Sequence, residues 1–106
     1  MLPYPNPTAG PARFFVTHNQ PSGTAARVQL RIYTLAGRPV RTIDGLEALP
    51  GGVLTSRTLE VPWDGLDDDL DRLGSGVYLV RLRMEVPNPA GGSRVAERIE
   101  RLAVIR

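Results

Sequence analysis

The chain has 106 residues, 42% of them hydrophobic, 23% charged and 6% aromatic, a length that fits one domain with a core of its own. Thirteen arginines, no lysine and 11 acidic residues leave a formal charge of +2. Charge so nearly balanced, with no window of five like charges, gives only weak support to nucleic-acid binding. Cysteine is absent, which excludes a thiol nucleophile, a disulfide framework and a thiolate metal site within this chain; the single histidine, His18, leaves little material for a zinc site or a Ser-His-Asp triad. No apolar run approaches the roughly 18 residues of a membrane-spanning helix. The composition reads as a structural or binding module, without cofactor or catalytic residues, and as a monomer.

Met1-Leu2-Pro3-Tyr4-Pro5 lacks the charged and apolar regions of a secretory signal, and the chain reads as one domain of a longer protein. Residues 1–12 form a proline-rich lead-in, in which Pro3, Pro5, Pro7 and Pro11 favour extended backbone before them. Residues 13–106 form the single domain, its first strand expected over Ala12 to His18. Asn19 to Gly23 is a loop by its turn residues. From Arg27 to Tyr33, Val28, Leu30 and Ile32 alternate with polar neighbours, the period of a half-buried strand. Ala36 to Pro39 is a turn, followed by a short return strand, Val40 to Ile43, with Pro39 at its start or on an edge. Asp44-Gly45 and Pro50-Gly51-Gly52 punctuate a loop. Arg57 to Trp63 alternates again, with Leu59, Val61 and Trp63 inward. After the acidic turn Leu66 to Asp71, Gly74-Ser75-Gly76 leads into Val77 to Met84, where Tyr78, Val80, Leu82 and Met84 share a face. Pro87 to Gly92 is a turn. Arg94 to Arg106 carries both helical and strand spacing; the neighbouring pattern favours strand, with a bulge near Arg101 where the parity slips. Six or seven short strands separated by turn signals predict an all-β protein, an antiparallel β-sandwich.

Few residues invite chemistry. Asp67, Asp69 and Asp71 stand at alternate positions, and oxygen ligands so spaced are a calcium candidate. The sixth and twelfth positions of an EF-hand counted from Asp67 would be Arg72 and Tyr78, neither of which fits, so the stretch reads first as a solvated turn. Trp63 is either a sugar-binding platform or a core anchor, and the core reading is favoured by its large area. Arg27, Arg31, Arg81 and Arg83 form either an anion-binding surface or a solvated sheet face. Gly74-Ser75-Gly76 lacks the lysine and helix of a phosphate loop.

Taken in order, these pieces resemble one family. Tyr4-Pro5-Asn6-Pro7 with Gly10 is similar to the opening of the C-terminal sorting domains of the type IX secretion system. Val28 to Arg41 resembles the IYxxxGRxV hairpin of those domains and of the immunoglobulin-like domain of flagellar hook-capping (FlgD-like) proteins. Trp63-Asp64-Gly65 with Gly74 to Leu79 resembles their WDG…sGxY block, and Leu102 to Arg106 resembles the basic-tipped final strand of the sorting signals. Phe15 to Pro21, and the stretch from Trp63 to Leu82, look most like the C-terminal domain of that system's sortase, a gingipain-like cysteine peptidase.

The resemblance implies an immunoglobulin-like sandwich of about seven strands and a non-catalytic sorting and anchoring role. It implies as partners the type IX translocon and an outer-membrane shuttle barrel, and as location the bacterial cell surface or outer membrane after passage through the periplasm. Catalytic residues would lie in an upstream domain. The surface expected to be recognised comprises Gly76, Tyr78, Leu102, Val104 and Arg106; Gly76 and Tyr78 also have an architectural reading, as a tight turn into a strand and a core tyrosine with a satisfied hydroxyl. The alternatives are a structural FlgD-like domain, a cargo-protein sorting domain, and a carbohydrate- or calcium-binding module. Two positions depart from the pattern. Leu70 stands where the family has glycine, and since a left-handed leucine costs roughly 1 kcal/mol, a different turn type is expected there. Arg101 and Arg106 replace lysines and keep the charge.

Overall fold

The computed structural model describes all 106 residues, Met1 to Arg106. Wherever the sequence alternates with period two the backbone is extended. The strands are β1 (Leu2–Tyr4), β2 (Ala12–Thr17), β3 (Thr24–Ala25), β4 (Arg27–Thr34), β5 (Pro39–Asp44), β6 (Val53–Leu54), β7 (Thr58–Trp63), β8 (Gly76–Pro87) and β9 (Ser93–Val104). Two short 3-10 turns, Gly45–Glu47 and Pro50–Gly52, fill the loop marked by its glycines and Pro50. Strands β1-β2-β7 form one sheet and β5-β4-β8-β9 the other, while β3 and β6 pair as a small ribbon. Every strand pair is antiparallel. Setting the ribbon aside, seven strands lie in the order A-B-E against C′-C-F-G, an immunoglobulin-type all-β sandwich.

The inward faces are those the alternation marks. Phe14, Val28, Leu30, Ile32, Val61, Val80 and Leu82 are sealed from solvent within one cluster of 20 buried apolar side chains, so a single core holds both sheets. Burying each large aliphatic side chain is worth about 1.5–3 kcal/mol. Trp63 is buried with them, its ring 6.4 Å from that of Phe14 and tilted by 37°. The carbohydrate-platform reading of Trp63 falls with that burial.

Two expectations are corrected. There is no bulge near Arg101: β8 and β9 pair without interruption from Gly76–Val104 to Pro87–Ser93. The apparent slip arises because β9 is exposed on both faces from Ser93 to Arg101, so its sequence has no parity to keep until Leu102 meets the core. The register shift lies instead between β4 and β5, at Ile32 and Tyr33, where Pro39 cannot donate to the ladder. The proline-rich opening is not a plain lead-in either. Its β1 pairs with β2, and Thr8 is buried and bridged to Val104. The Tyr4–Pro5 and Asn6–Pro7 bonds are cis.

Candidate functional site

The residues singled out at the end of the chain come together. In the β8–β9 ladder Gly76 faces Val104 and Tyr78 faces Leu102. Even-numbered residues of β9 point inward, however, so Leu102 and Val104 are buried core side chains, 0% and 2% exposed. Their expected role as direct recognition contacts is corrected to that of core anchors. The exposed apolar side chain of this segment is Ile105, at 59%.

Tyr78 is half-buried against the core, and its hydroxyl donates to the Gly74 carbonyl at 2.8 Å. A tyrosine near the start of the F-type strand bonding back to upstream backbone is the tyrosine corner of immunoglobulin-like sandwiches. Removing this hydroxyl in Tyr78→Phe is expected to cost about 1 kcal/mol in urea unfolding, with an unchanged denaturant slope. A change of only a few tenths would remove the corner's structural role. Gly76, by contrast, owes its glycine to its backbone, whose φ of 159° residues with side chains rarely adopt; an added Cβ would meet only the Tyr78 ring at 3.9 Å. Nothing in its packing demands glycine.

The opening segment straps this end shut. Asn6 Nδ2 donates to the Arg101 carbonyl (3.2 Å), and Ala103 N–H donates to Asn6 Oδ1 (3.0 Å). Thr8 N–H donates to the Ala103 carbonyl and Ile105 N–H to the Thr8 carbonyl, each at 2.9 Å. The buried Thr8 hydroxyl lies within hydrogen-bond distance of the Gly10 and Pro11 carbonyls and accepts from Gly10 N–H. Arg106 completes the strap. Its guanidinium donates to the carbonyls of Leu73, Ala9 (3.1 Å) and Gly65 (3.3 Å), while its backbone N–H donates to Ser75 Oγ (2.9 Å). A guanidinium only donates, and here backbone carbonyls take its N–H groups with no carboxylate beside it. The Arg106 side chain therefore fastens the end of the sandwich.

The acidic turn is also a fastening. Asp67 Oδ1 accepts from the N–H groups of Asp69 and Asp71, both at 2.9 Å, so that carboxylate closes its own loop. Asp68 lies along β5, donating its N–H to the Val40 carbonyl (2.9 Å) and accepting from Thr42 N–H (3.0 Å). Arg41, with its side chain only 16% exposed, donates to the carbonyls of Leu66 and Asp67 and to the Asp64 carboxylate. No three acidic or histidine side chains gather so as to hold a metal ion, and Asp67, Asp69 and Asp71 do not converge as the calcium reading requires. Leu70 adopts the left-handed backbone (φ 67°) that the sequence argues against, with its side chain exposed. The hydrogen-bonded loop holds it there, so Leu70→Gly is expected to raise stability by about 1 kcal/mol, read as a higher melting temperature. A lower one would mean the exposed side chain packs usefully.

Three of the four outward arginines are partnered, and Arg31 alone has no acidic partner. Arg27 pairs with Asp44 (3.6 Å), Arg81 with Glu97, and Arg83 with Glu85 (3.4 Å) and Glu97 (4.0 Å). The hydrogen bond from Arg81 holds the Glu97 carboxyl below the usual carboxylate range, and the raised Arg81 mirrors it. His18 is half-buried in a loop, its Nδ1 accepting from Gln20 N–H. Sequence reading missed Asn6, Thr8 and Arg41. The available signal was a pair of polar side chains between prolines, in a segment whose backbone can bond only outward.

An immunoglobulin-like sandwich whose chain ends are strapped together defines the class of domain. Comparison with known proteins narrows it. No family model matches the chain, nor does any curated protein. Among solved structures, it is similar to dimeric latent PorU from Porphyromonas gingivalis, with 27% identity over 98% of this chain and a TM-score of 0.69. It also matches PorZ, an essential bacterial surface component of the type-IX secretion system of the same organism, with 27% identity over 99% of the chain and a TM-score of 0.46. The chain spans 9% and 11% of those two proteins. It is thus similar along its length to one part of PorU.

Proposed function

We propose that this is a non-catalytic C-terminal sorting and anchoring domain, the tail of a gingipain-like sortase, that directs its parent through the type IX machinery to the outer-membrane surface. The observation that carries the reading is the 27% identity to PorU over 98% of the chain, in one continuous fold. The absence of cysteine places any thiol nucleophile of the parent outside these residues. Its partners are the translocon and an outer-membrane shuttle barrel. They would read the surface where Gly76 and Tyr78 adjoin the exposed Arg101, Ile105 and Arg106, with Leu102 and Val104 holding that surface in place from beneath.

The test is a reporter fused to residues 2–106 in a type IX-competent bacterium. The reporter is expected at the cell surface; one that remains periplasmic overturns the proposal and favours a structural spacer domain. Deleting Leu102 to Arg106 is a poor variant, because it strips two core side chains. Ile105→Lys is better. The site is exposed and the change is expected to alter stability by less than about 0.5 kcal/mol, so lost export would report recognition alone.

A further inference from the structure

The four-stranded sheet has two edges, and they are treated differently. Along β5, Asp68 occupies the Val40 carbonyl and the Thr42 N–H. At the end of β9, Asn6 and Thr8 occupy the Arg101 carbonyl, the outward N–H and carbonyl of Ala103, and the N–H of Ile105 just beyond it. Covering an edge in this way blocks pairing with a further strand. Backbone groups of an antiparallel strand alternate in direction, so Ser93, Val95, Glu97 and Ile99 also turn their N–H and C=O outward. No other strand or loop covers these groups. The one hydrogen bond reaching them comes from the exposed Arg98 side chain, to the Glu97 carbonyl. The same stretch is exposed on both faces, with Val95 at 46% and Ile99 at 61%.

We propose that this bare edge pairs with its counterpart on a second copy of the chain, β9 against β9, antiparallel about a two-fold axis at Glu97. The charge pattern and the covered end of β9 together select that register. Outward groups must meet outward groups, so the strands can slide only in steps that keep odd residues opposite odd residues. With Glu97 on the axis, Arg94 faces Glu100 of the second copy, Val95 faces Ile99, and Ala96 faces Arg98, each pair occurring twice. Oppositely charged and apolar pairs directly across a ladder are favourable, and like charges are not. Moving the axis to Ala96 sets Arg94 against Arg98, and moving it to Arg98 sets Arg98 against itself. Moving it to Ile99 would need the outward groups of Arg101 and Ala103, and Asn6 already bonds the Arg101 carbonyl and the Ala103 N–H. The Glu97 carboxylates that meet on the axis are already partnered by Arg81 and Arg83 of their own chains. The two four-stranded sheets become one of eight, and the exposed Val95 and Ile99 are brought together on one face. A contact of one short strand is smaller than a standard interface, so the dimer is concentration-dependent.

Sedimentation equilibrium of the 106-residue chain from micromolar to millimolar concentration tests this. The mass is expected to rise from 11.6 kDa towards twice that value. Glu100→Arg should weaken association about tenfold, by placing arginine opposite arginine twice, with an unchanged melting temperature. The double variant Arg94→Glu, Glu100→Arg should restore it. Ile99→Pro, which removes an outward N–H without touching the β8 ladder, should abolish it. A mass of 11.6 kDa throughout overturns the proposal and leaves the edge to a strand of a different protein. A dimer indifferent to Glu100→Arg, or one that the double variant does not restore, overturns it equally.

Discussion

Trp63→Ala is expected to lower stability by about 3–5 kcal/mol, the range for truncating a buried aromatic to alanine. Three losses converge at this position. The indole is 2% exposed, so its removal opens a cavity between sheets that cannot collapse without moving the β1-β2-β7 sheet towards the other. Its contact with Phe14, at 6.4 Å between ring centroids, disappears. Its Nε1–H donates to the Leu66 carbonyl at 2.9 Å, and that bond fixes where the acidic turn leaves the strand. Arg41 also donates to the Leu66 carbonyl, so that oxygen keeps one partner and the penalty is mostly packing. Trp63→Phe should accordingly cost far less than Trp63→Ala. Far-UV circular dichroism in urea measures both, since the variants remove the chain's single tryptophan as a fluorescent probe. An alanine variant that loses less than about 1.5 kcal/mol would mean that Trp63 does not anchor the core.

What could be read from the sequence was what alternation encodes. Val28-Leu30-Ile32, Leu59-Val61-Trp63 and Tyr78-Val80-Leu82-Met84 each declared a strand and its inward face, because one side of each meets the core and the other meets water. The limits of β9 were ambiguous for the opposite reason. Both of its faces are wet over Ser93 to Arg101, and no burial constrains the residue types there. That the residues named at the end of the chain adjoin was legible, and the direction in which they point was not. Gly76, Tyr78, Leu102 and Val104 do adjoin, but inward parity buries the last two. The strap was illegible because its bonds join Asn6 and Thr8 to residues at the other end of the chain. Such pairing leaves no local periodicity. Leu70 shows the same limit on a smaller scale: propensity argued against its backbone, and the Asp67 loop imposed it.

Gly65 is where those long-range contacts converge, and Gly65→Ala is expected to cost about 3 kcal/mol, or a fall in melting temperature of roughly 10–25 °C for a domain of this size. Part of that comes from the left-handed backbone (φ 83°), which penalises any Cβ by about 1–2 kcal/mol. The rest comes from collision: the new methyl would sit 2.8 Å from the Gly10 carbonyl carbon, 2.9 Å from its oxygen and 3.2 Å from Pro11 N. Those are backbone atoms, and they cannot step aside alone, because the Thr8 hydroxyl binds the same Gly10–Pro11 segment. Arg106 holds the Gly65 and Ala9 carbonyls together from the other side. Displacement would therefore loosen the strap and uncover the β9 end that Asn6 and Thr8 protect. Gly37→Ala is the matched control, since Gly37 also has a positive φ (91°) but nothing within 4 Å of an added Cβ. It should lose the backbone part alone, about 1–2 kcal/mol. Equal melting temperatures for the two variants would show that the approach of Gly65 to Gly10 contributes nothing, and that the strap does not depend on it.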